Sequence, residues 1–597
     1  MNGWPRQLPD PGAKTGRNAA RPALGSIARR GTGAVTAAGL IVSSLLVTQA
    51  PGAQVALASN SQAAGLSAPA AGTSLAGTSA AGTAVPWAGF AGNAQHTAVT
   101  STPAQPLTRI RWRAKVDLAP HVVFGELPIH YGSPMITAAN TVLVPTRISA
   151  KAGFRVVAYS GTTGKQRWSL ATGYRPQPVP RNPFVFTPPL PAVLSSGNVL
   201  AVAGAGGTVL MRHQANSASG TVQRRVFYGA AQWKAHQAAF DKAVRITTPL
   251  TAGPDGSVYF GFTVTGKTPV HLSSGIARIS PSGSATWTAA AAAARSKTVT
   301  GVAISCAPAL SPNGKTVYVA VTSSSGGGFL VGLDARTLRP HFRTMLKDPV
   351  SGQPGTISAS SSASPTVGPD GDVYYGVLEN PFPNHDDRGW LLHFNASLTK
   401  TKTPGSFGWD NTVSVLPAHA VPGYRGSSPY LLVSKYNNYV HIGPHGDGRN
   451  RVAVLDPRAS QKDPYASVRT MKAVKTVLSP VHVPGQPAGA RYEWCISSAA
   501  ADIADHSVFV NSEDGILYRW DLATNKLVAK IRLNAARPEA YTPTIVGPDG
   551  TVYAINNANL FCCVAAPPRV ALPLPLRSSG GGANPKSGAV KVRGTKP

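Results

Sequence analysis

The chain has 597 residues, of which 13% are charged, with 61 Gly and 52 Pro. That density of turn-formers excludes a long helical or coiled-coil protein, and 43% hydrophobic residues, enough for a large core, exclude wholesale disorder. The formal net charge is +32; setting aside residues 1–58 (six basic against Asp10) and 567–597 (six basic against none) still leaves about +21 on the middle of the chain, which suits anionic partners.

At the amino end, Arg29-Arg30 precede an uncharged, partly apolar stretch from Gly33 to Val47, and Ala56-Leu57-Ala58 follows. A basic region, a short apolar segment and a small-x-small site describe a secretory signal over 1–58. The apolar stretch is short and broken by Ser43-Ser44, so no transmembrane span is expected after cleavage. The export route, general secretory or twin-arginine, stays open, and the protein is expected outside the cytoplasm as a monomer. Residues 59–86 are almost entirely Ala, Gly, Ser and Thr; they cannot bury enough apolar area to offset chain entropy and predict a disordered linker. The Gly-rich, basic stretch 567–597 predicts a second disordered segment.

From Trp87 to Ala566 the sequence repeats. Thr248-Pro-Leu-Thr-Ala-Gly-Pro-Asp-Gly-Ser-Val-Tyr returns in altered form from Ala307, Ser364 and Thr542, with the first prolines at Pro249, Pro308, Pro365 and Pro543. Weaker copies at Ser133-Pro134, Thr187-Pro188, Ser428-Pro429 and Ala499 bring the number of units to eight. Each unit reads as a short apolar strand, a tight Pro-Asp-Gly turn and an alternating Val-Tyr strand. A third and a fourth strand follow, as in Val156–Trp168. Four strands per ~60 residues, repeated eight times without linkers, predict an all-β fold: a β-propeller of eight four-stranded blades, with seven as the alternative. Ile110-Arg-Trp112 supplies the outer strand that the last unit lacks, so the ring is expected to close through an N-terminal strand.

The phrase Ala158, Thr163, Gly164, Lys165, Trp168 resembles the docking motif of the pyrroloquinoline-quinone-like (quinoprotein-type) propeller repeat family, with Ser160 where the family has Asp. A second copy keeps Asp521 and Thr524 but has Asn525 for Gly and Ala529 for Trp, and Trp287 marks a partial third. The resemblance spans residues 87–566. It implies tryptophans that pack between blades; in its enzymatic branches it also implies a bridged, adjacent Cys pair against the quinone, which would cast Cys562 and Cys563 as cofactor-binding residues beside PQQ and Ca²⁺. Read on its own, Leu560-Phe-Cys-Cys-Val564 is a strand that sends its two sulfurs to opposite faces. No calcium ligands or catalytic Asp can be assigned, so catalytic and metal residues stay open and no cofactor is expected on this reading.

Gly261–Thr268 matches a phosphate-loop pattern but is followed by Pro269-Val-His-Leu, not by the helix such a loop needs. The stretch 379–450 is longer and more polar than other inter-strand segments. With later carboxylates and an aromatic, it gives the ligand-binding candidates: His385, Asp386, Asp387, Trp409, Asp410, Lys435, Asn437, Asn438, Asp447, Glu493, Trp494, Glu513 and Glu539. The plainer account of its Asp and Asn residues is turn-building. No Lys/Arg run interleaves with aromatics as a nucleic-acid groove needs, so nucleic acid is not expected. The sequence therefore favours a secreted, non-catalytic propeller that presents a loop-built face to a protein, glycan or cell-envelope ligand. The alternatives are a PQQ-dependent dehydrogenase of alcohols or sugars, and a propeller polysaccharide lyase or hydrolase.

Overall fold

In the computed structural model the described residues run from 87 to 567, apart from 121, 123–126, 131, 150, 177–184, 187–191, 194–197, 358–362, 495, 497, 536–538 and 542–543. The expected signal (1–58), linker (59–86) and all but the first residue of the tail (567–597) lie outside them. The described chain is a β-propeller of eight antiparallel blades, numbered here from the amino end. Blades 1 to 7 span residues 135–171, 192–225, 251–289, 309–345, 366–405, 414–478 and 500–532. Blade 8 combines 544–564 with Arg109–Lys115.

The repeated phrase builds the inner hairpin of a blade. In blade 3, Thr251–Ala252 pairs with Val258–Val264 across Pro254-Asp255-Gly256. Asp255 Oδ1 accepts the Ser257 amide at 3.0 Å, and Gly256 sits at φ 77°, where a side chain would be strained. The β-branched and aromatic residues of the second strands are mostly buried, and every residue is buried in Val373–Val377 and Val552–Asn556.

Ring closure follows the expected route. Arg109–Lys115 pairs antiparallel with Asn559–Val564 and becomes the outer strand of blade 8, with an extra residue accommodated between Ile110 and Trp112. Trp112 then crosses to blade 1: its Nε1 donates to Gly161 O at 2.9 Å, and its ring packs against Gly164 (φ 70°), where a Cβ would stand 2.6 Å away. Trp168 repeats the device from blade 1 to blade 2, donating to Ala215 O at 2.8 Å. The glycine of the docking phrase is thus required twice over, by its backbone angle and by the indole of the preceding blade.

Two blades depart from the pattern. In blade 6 the inner strand is Ser414–Pro417, and Ser428-Pro429 precedes the second strand, Tyr430–Tyr436, instead of opening the unit. Thr412 occupies the place of the usual Ser/Thr: its Oγ1 accepts the Ser364 amide, as Ser364 Oγ accepts that of Ala307. Blade 5 has three full strands, its fourth being reduced to bridges at Thr401 and Gly405. The long hairpin of blade 6 compensates. It kinks between Asp456 and Ser460, where the register shifts, and lays its outer arm on blade 5, Met471 N donating to Pro404 O.

Radial sheets leave the channel side of every inner strand without a β partner. Residues 87–100 meet much of that demand. The amides of Ile136, Leu310, Val367, Val415 and Ala501, in blades 1, 4, 5, 6 and 7, donate in order to the carbonyls of Trp87, Ala94, Gln95, Thr97 and Ala98 at 2.7–3.1 Å. Val99–Thr100 then runs parallel to Ala500–Asp502. His96 is fully buried here, with its edge against Phe90. A carbonyl can only accept, so its Nδ1 carries the hydrogen that reaches Pro365 O at 2.7 Å; Nε2 has no hydrogen-bond partner among the described residues. Burial pulls the His96 pKa from 6.5 to about 4, against the opposing pull of the Pro365 carbonyl.

Unfolded His96 therefore takes up a proton near pH 6.5 and folded His96 near 4. Between those values the unfolded chain binds more protons, so stability falls as pH drops through the window, by about 3 kcal/mol in all. His96→Asn keeps a donor and tolerates φ 63°. Urea midpoints measured from pH 7 to 4 should fall less for this variant than for the wild type; parallel curves would remove His96 from the account.

Candidate functional site

Strands alternate in direction, so the turns inside the first and last hairpins of each blade lie on one face of the ring. The second-to-third connections and the crossings to the next blade lie on the other. The tight Pro-Asp-Gly and Thr-Gly-Lys turns occupy the first face. His385, Asp386 and Asp387 (second-to-third loop, blade 5), Trp409 and Asp410 (crossing to blade 6), and Lys435, Asn437, Asn438 and Asp447 (end of the second strand and following loop, blade 6) all belong to the second. So do Glu493 and Trp494 (crossing to blade 7), Glu513 (blade 7 loop) and Glu539, in the short strand Glu539–Tyr541. That strand, Leu127–His130 and Val185–Phe186 form a three-stranded parallel sheet from the crossings into blades 8, 1 and 2.

Topology gathers the candidates on one face, and six of them, His385, Asp386, Lys435, Asn437, Asn438 and Trp494, are buried there. Arg388, which the sequence did not single out, organises the group. Its side chain is fully buried, Nη1 donates to Asn437 O and Nη2 to Ser406 O at 2.7 Å. The rings of Tyr436, Tyr465 and Phe407 surround it at 4.5, 4.7 and 5.6 Å. His385 stacks on Trp390 at 3.8 Å and meets Asp463 at 3.3 Å, tying the kinked hairpin of blade 6 to the blade 5 loop. Burial opposes the charge of Asp463, yet its hydrogen bonds to His385, Ser406 and the Tyr465 amide outweigh this and hold its carboxyl below the usual range. Burial wins at Asp386 and Glu379, both raised. Glu379 accepts the amides of Asp387 and Gly389 at 2.8 Å each, and Asp386 that of His445 at 3.0 Å.

Asp410 pairs with Lys435, whose ammonium lies 5.5 Å from the Phe407 ring. Asn437 clasps the Trp494 backbone through both its oxygen and its amide. Asn438 donates to His445 O and Asp447 Oδ1, 2.8 Å each. Glu493 O accepts the Glu513 amide at 3.1 Å, linking the loops of blades 6 and 7. Two further asparagines extend the pattern to blade 8: Asn511 Nδ2 donates to Ile555 O at 2.9 Å, and Asn556 Nδ2 to Asn511 Oδ1 at 3.4 Å. Both end second strands, as Asn437 follows one. That shared position is the sequence signal that could have found them. Asp386, Asp387 and Asp410 have φ of 59°, 59° and 52°, a region Asp tolerates, so their turn role holds beside any binding role.

Cys562 and Cys563 lie in the third strand of blade 8, two strands out from the channel, and are unbridged and fully buried. They face opposite ways: Cys562 approaches Gly161 O of blade 1. Burial, ahead of every other influence, pushes the Cys562 thiol up to about 12 and raises that of Cys563 as well. The bridge between them that the resemblance implies is not made. Among the described residues no group of three or more His, Cys, Asp or Glu is arranged to hold a metal ion. Gly261–Thr268 continues as strand and loop with no helix after it.

No family model and no curated protein matches the chain. Among solved structures it is similar to a europium-containing methanol dehydrogenase (9% identity, 79% of this chain and 89% of that one, TM-score 0.45). It is also similar to the quinohemoprotein alcohol dehydrogenase from Comamonas testosteroni (14%, 79% and 77%, 0.45) and to BamB from Moraxella catarrhalis (10%, 76% and 97%, 0.40).

Arg388→Ala would strip two buried carbonyls of their donor and open a cavity among three rings, a loss of about 3–5 kcal/mol. Arg388→Lys should recover little, since an ammonium cannot fork to both carbonyls. Urea unfolding and protease cleavage within 379–389 report both effects; a stability change below about 1 kcal/mol would contradict this role.

Proposed function

We propose that the protein is exported and works as a non-catalytic binding or scaffold propeller, presenting the loop-rich face of blades 5 to 7 to a protein or glycan of the cell envelope. One observation carries the reading. The polar side chains of these loops are committed to one another and to backbone, so the loops form a preorganised platform. Asp386, Glu379 and Asp463 each hold backbone amides or His385. What the platform shows to solvent are the tips: His441, His445 and Arg449 are exposed, and Trp409 and Tyr492 half-exposed. Support for export comes from the Arg29-Arg30, apolar and Ala-x-Ala succession. Among the described residues no helix is long and apolar enough to cross a membrane.

Full-length protein should fractionate outside the cytoplasm. His441→Ala/His445→Ala/Arg449→Ala should lower its binding to isolated envelope fractions about tenfold, as loss of hot-spot contacts does, with an unchanged urea midpoint. Undiminished binding by the triple variant would sink the platform. Quinone-dependent oxidation of alcohols or sugars after addition of PQQ and Ca²⁺ would replace the binding role with an enzymatic one.

A further inference from the structure

The perimeter of the ring carries charge of one sign. The outer strands of blades 6, 7 and 8 (Arg469–Leu478, Lys526–Arg532 and Arg109–Lys115) hold ten Lys or Arg and no Asp or Glu. The outer strands of blades 1, 2 and 4 add basic residues and again no acid. The acids lie in turns, where Asp255, Asp334, Asp521 and Asp549 accept backbone amides. Lys472, Lys526, Lys530, Arg113 and Lys115 are exposed, and no hydrogen bond or ion pair involves their side chains among the described residues. Buried bases are all engaged, Lys435 with Asp410 and Arg388 with two carbonyls.

Charged outer strands, with Lys especially, guard a sheet edge against pairing with other chains, which accounts for charge on each strand taken singly. A belt of one sign adds self-repulsion, so its uniformity calls for another explanation. We propose that the outer strands of blades 6 to 8 form a docking surface for a flexible, phosphate-linked polyol polymer. Two features select that partner. The belt curves around the rim, so a flat bilayer could meet one outer strand at a time, whereas a flexible chain can follow three. The one aromatic of these strands, Trp112, is turned onto Tyr553 and Tyr159 of blades 8 and 1, leaving nucleobases no stacking platform. What remains is phosphate held by point charges and by forked guanidinium groups. The choice of an envelope-type polymer rests on the export reading; the surface itself does not.

The test uses full-length protein and poly(glycerol phosphate), with binding followed at 50 and 200 mM NaCl. Neutralising the five free rim residues (K472Q, K526Q, K530Q, R113Q, K115Q) should weaken binding about tenfold or more and flatten its salt dependence. A control of equal charge change at exposed positions elsewhere (K234Q, K267Q, K297Q, K315Q, K400Q) should stay within about twofold of wild type. Equal weakening in both sets, or no weakening in the first, overturns the proposal. So does tighter binding to anionic phosphatidylglycerol vesicles or to oligothymidylate than to the polyol phosphate. The loop-tip triple variant should bind the polymer as wild type does, which separates a failure here from a failure of the platform.

Discussion

The structure depends on how a ring of radial sheets disposes of its inner edges. Each blade offers the channel a strand whose outward amides have no neighbour, and a buried amide without a partner costs on the order of 1–3 kcal/mol. Residues 87–100 answer five of these amides with five of their carbonyls, in the order in which the chain passes the blades. The same segment then leaves the channel and becomes the outermost strand of blade 8. One stretch therefore fills the axis and fastens the circumference.

The loop-rich face solves a related problem differently. Where connections are long, the backbone cannot pair with itself, and buried side chains take over. Arg388 serves two carbonyls, Glu379 two amides, and Asn437 both groups of Trp494. The weak fourth strand of blade 5 has its counterpart in the kinked hairpin of blade 6, so both irregularities belong to one local arrangement. The charge distribution follows: acids sit in turns and networks, and the rim is left to Lys and Arg.

The architecture was legible because its signals are local and recur. Pro-Asp-Gly followed by Val-Tyr specifies an inner hairpin wherever it appears, and Ile110-Arg-Trp112 carried enough strand character to be placed on the last blade. Blade 6 misled because Ser428-Pro429 imitates a unit start, while the true one, at Thr412, has Val413 where the proline should be. The face on which the polar candidates gather could be inferred from connectivity, but their inward orientation could not. Arg388 is a lone basic residue among polar neighbours in sequence, and its three aromatic walls come from residues 407, 436 and 465. Nor does anything in Trp87–Thr100 announce a channel lining, since its partners are backbone groups, which sequence does not distinguish.

The pairing of Trp112 with Cys562 has a consequence for the order of assembly. The strand made first among the eight blades is the last to find its place, because its neighbour is synthesised some 450 residues later, roughly 20–90 s at ordinary translation speeds. A contact of that span makes a slow, late step of ring formation. Throughout the wait, residues 59–108 carry no charge and little apolar bulk, and the strand after them alternates Arg with other residues. Such a leader has few reasons to pair wrongly before blade 8 arrives.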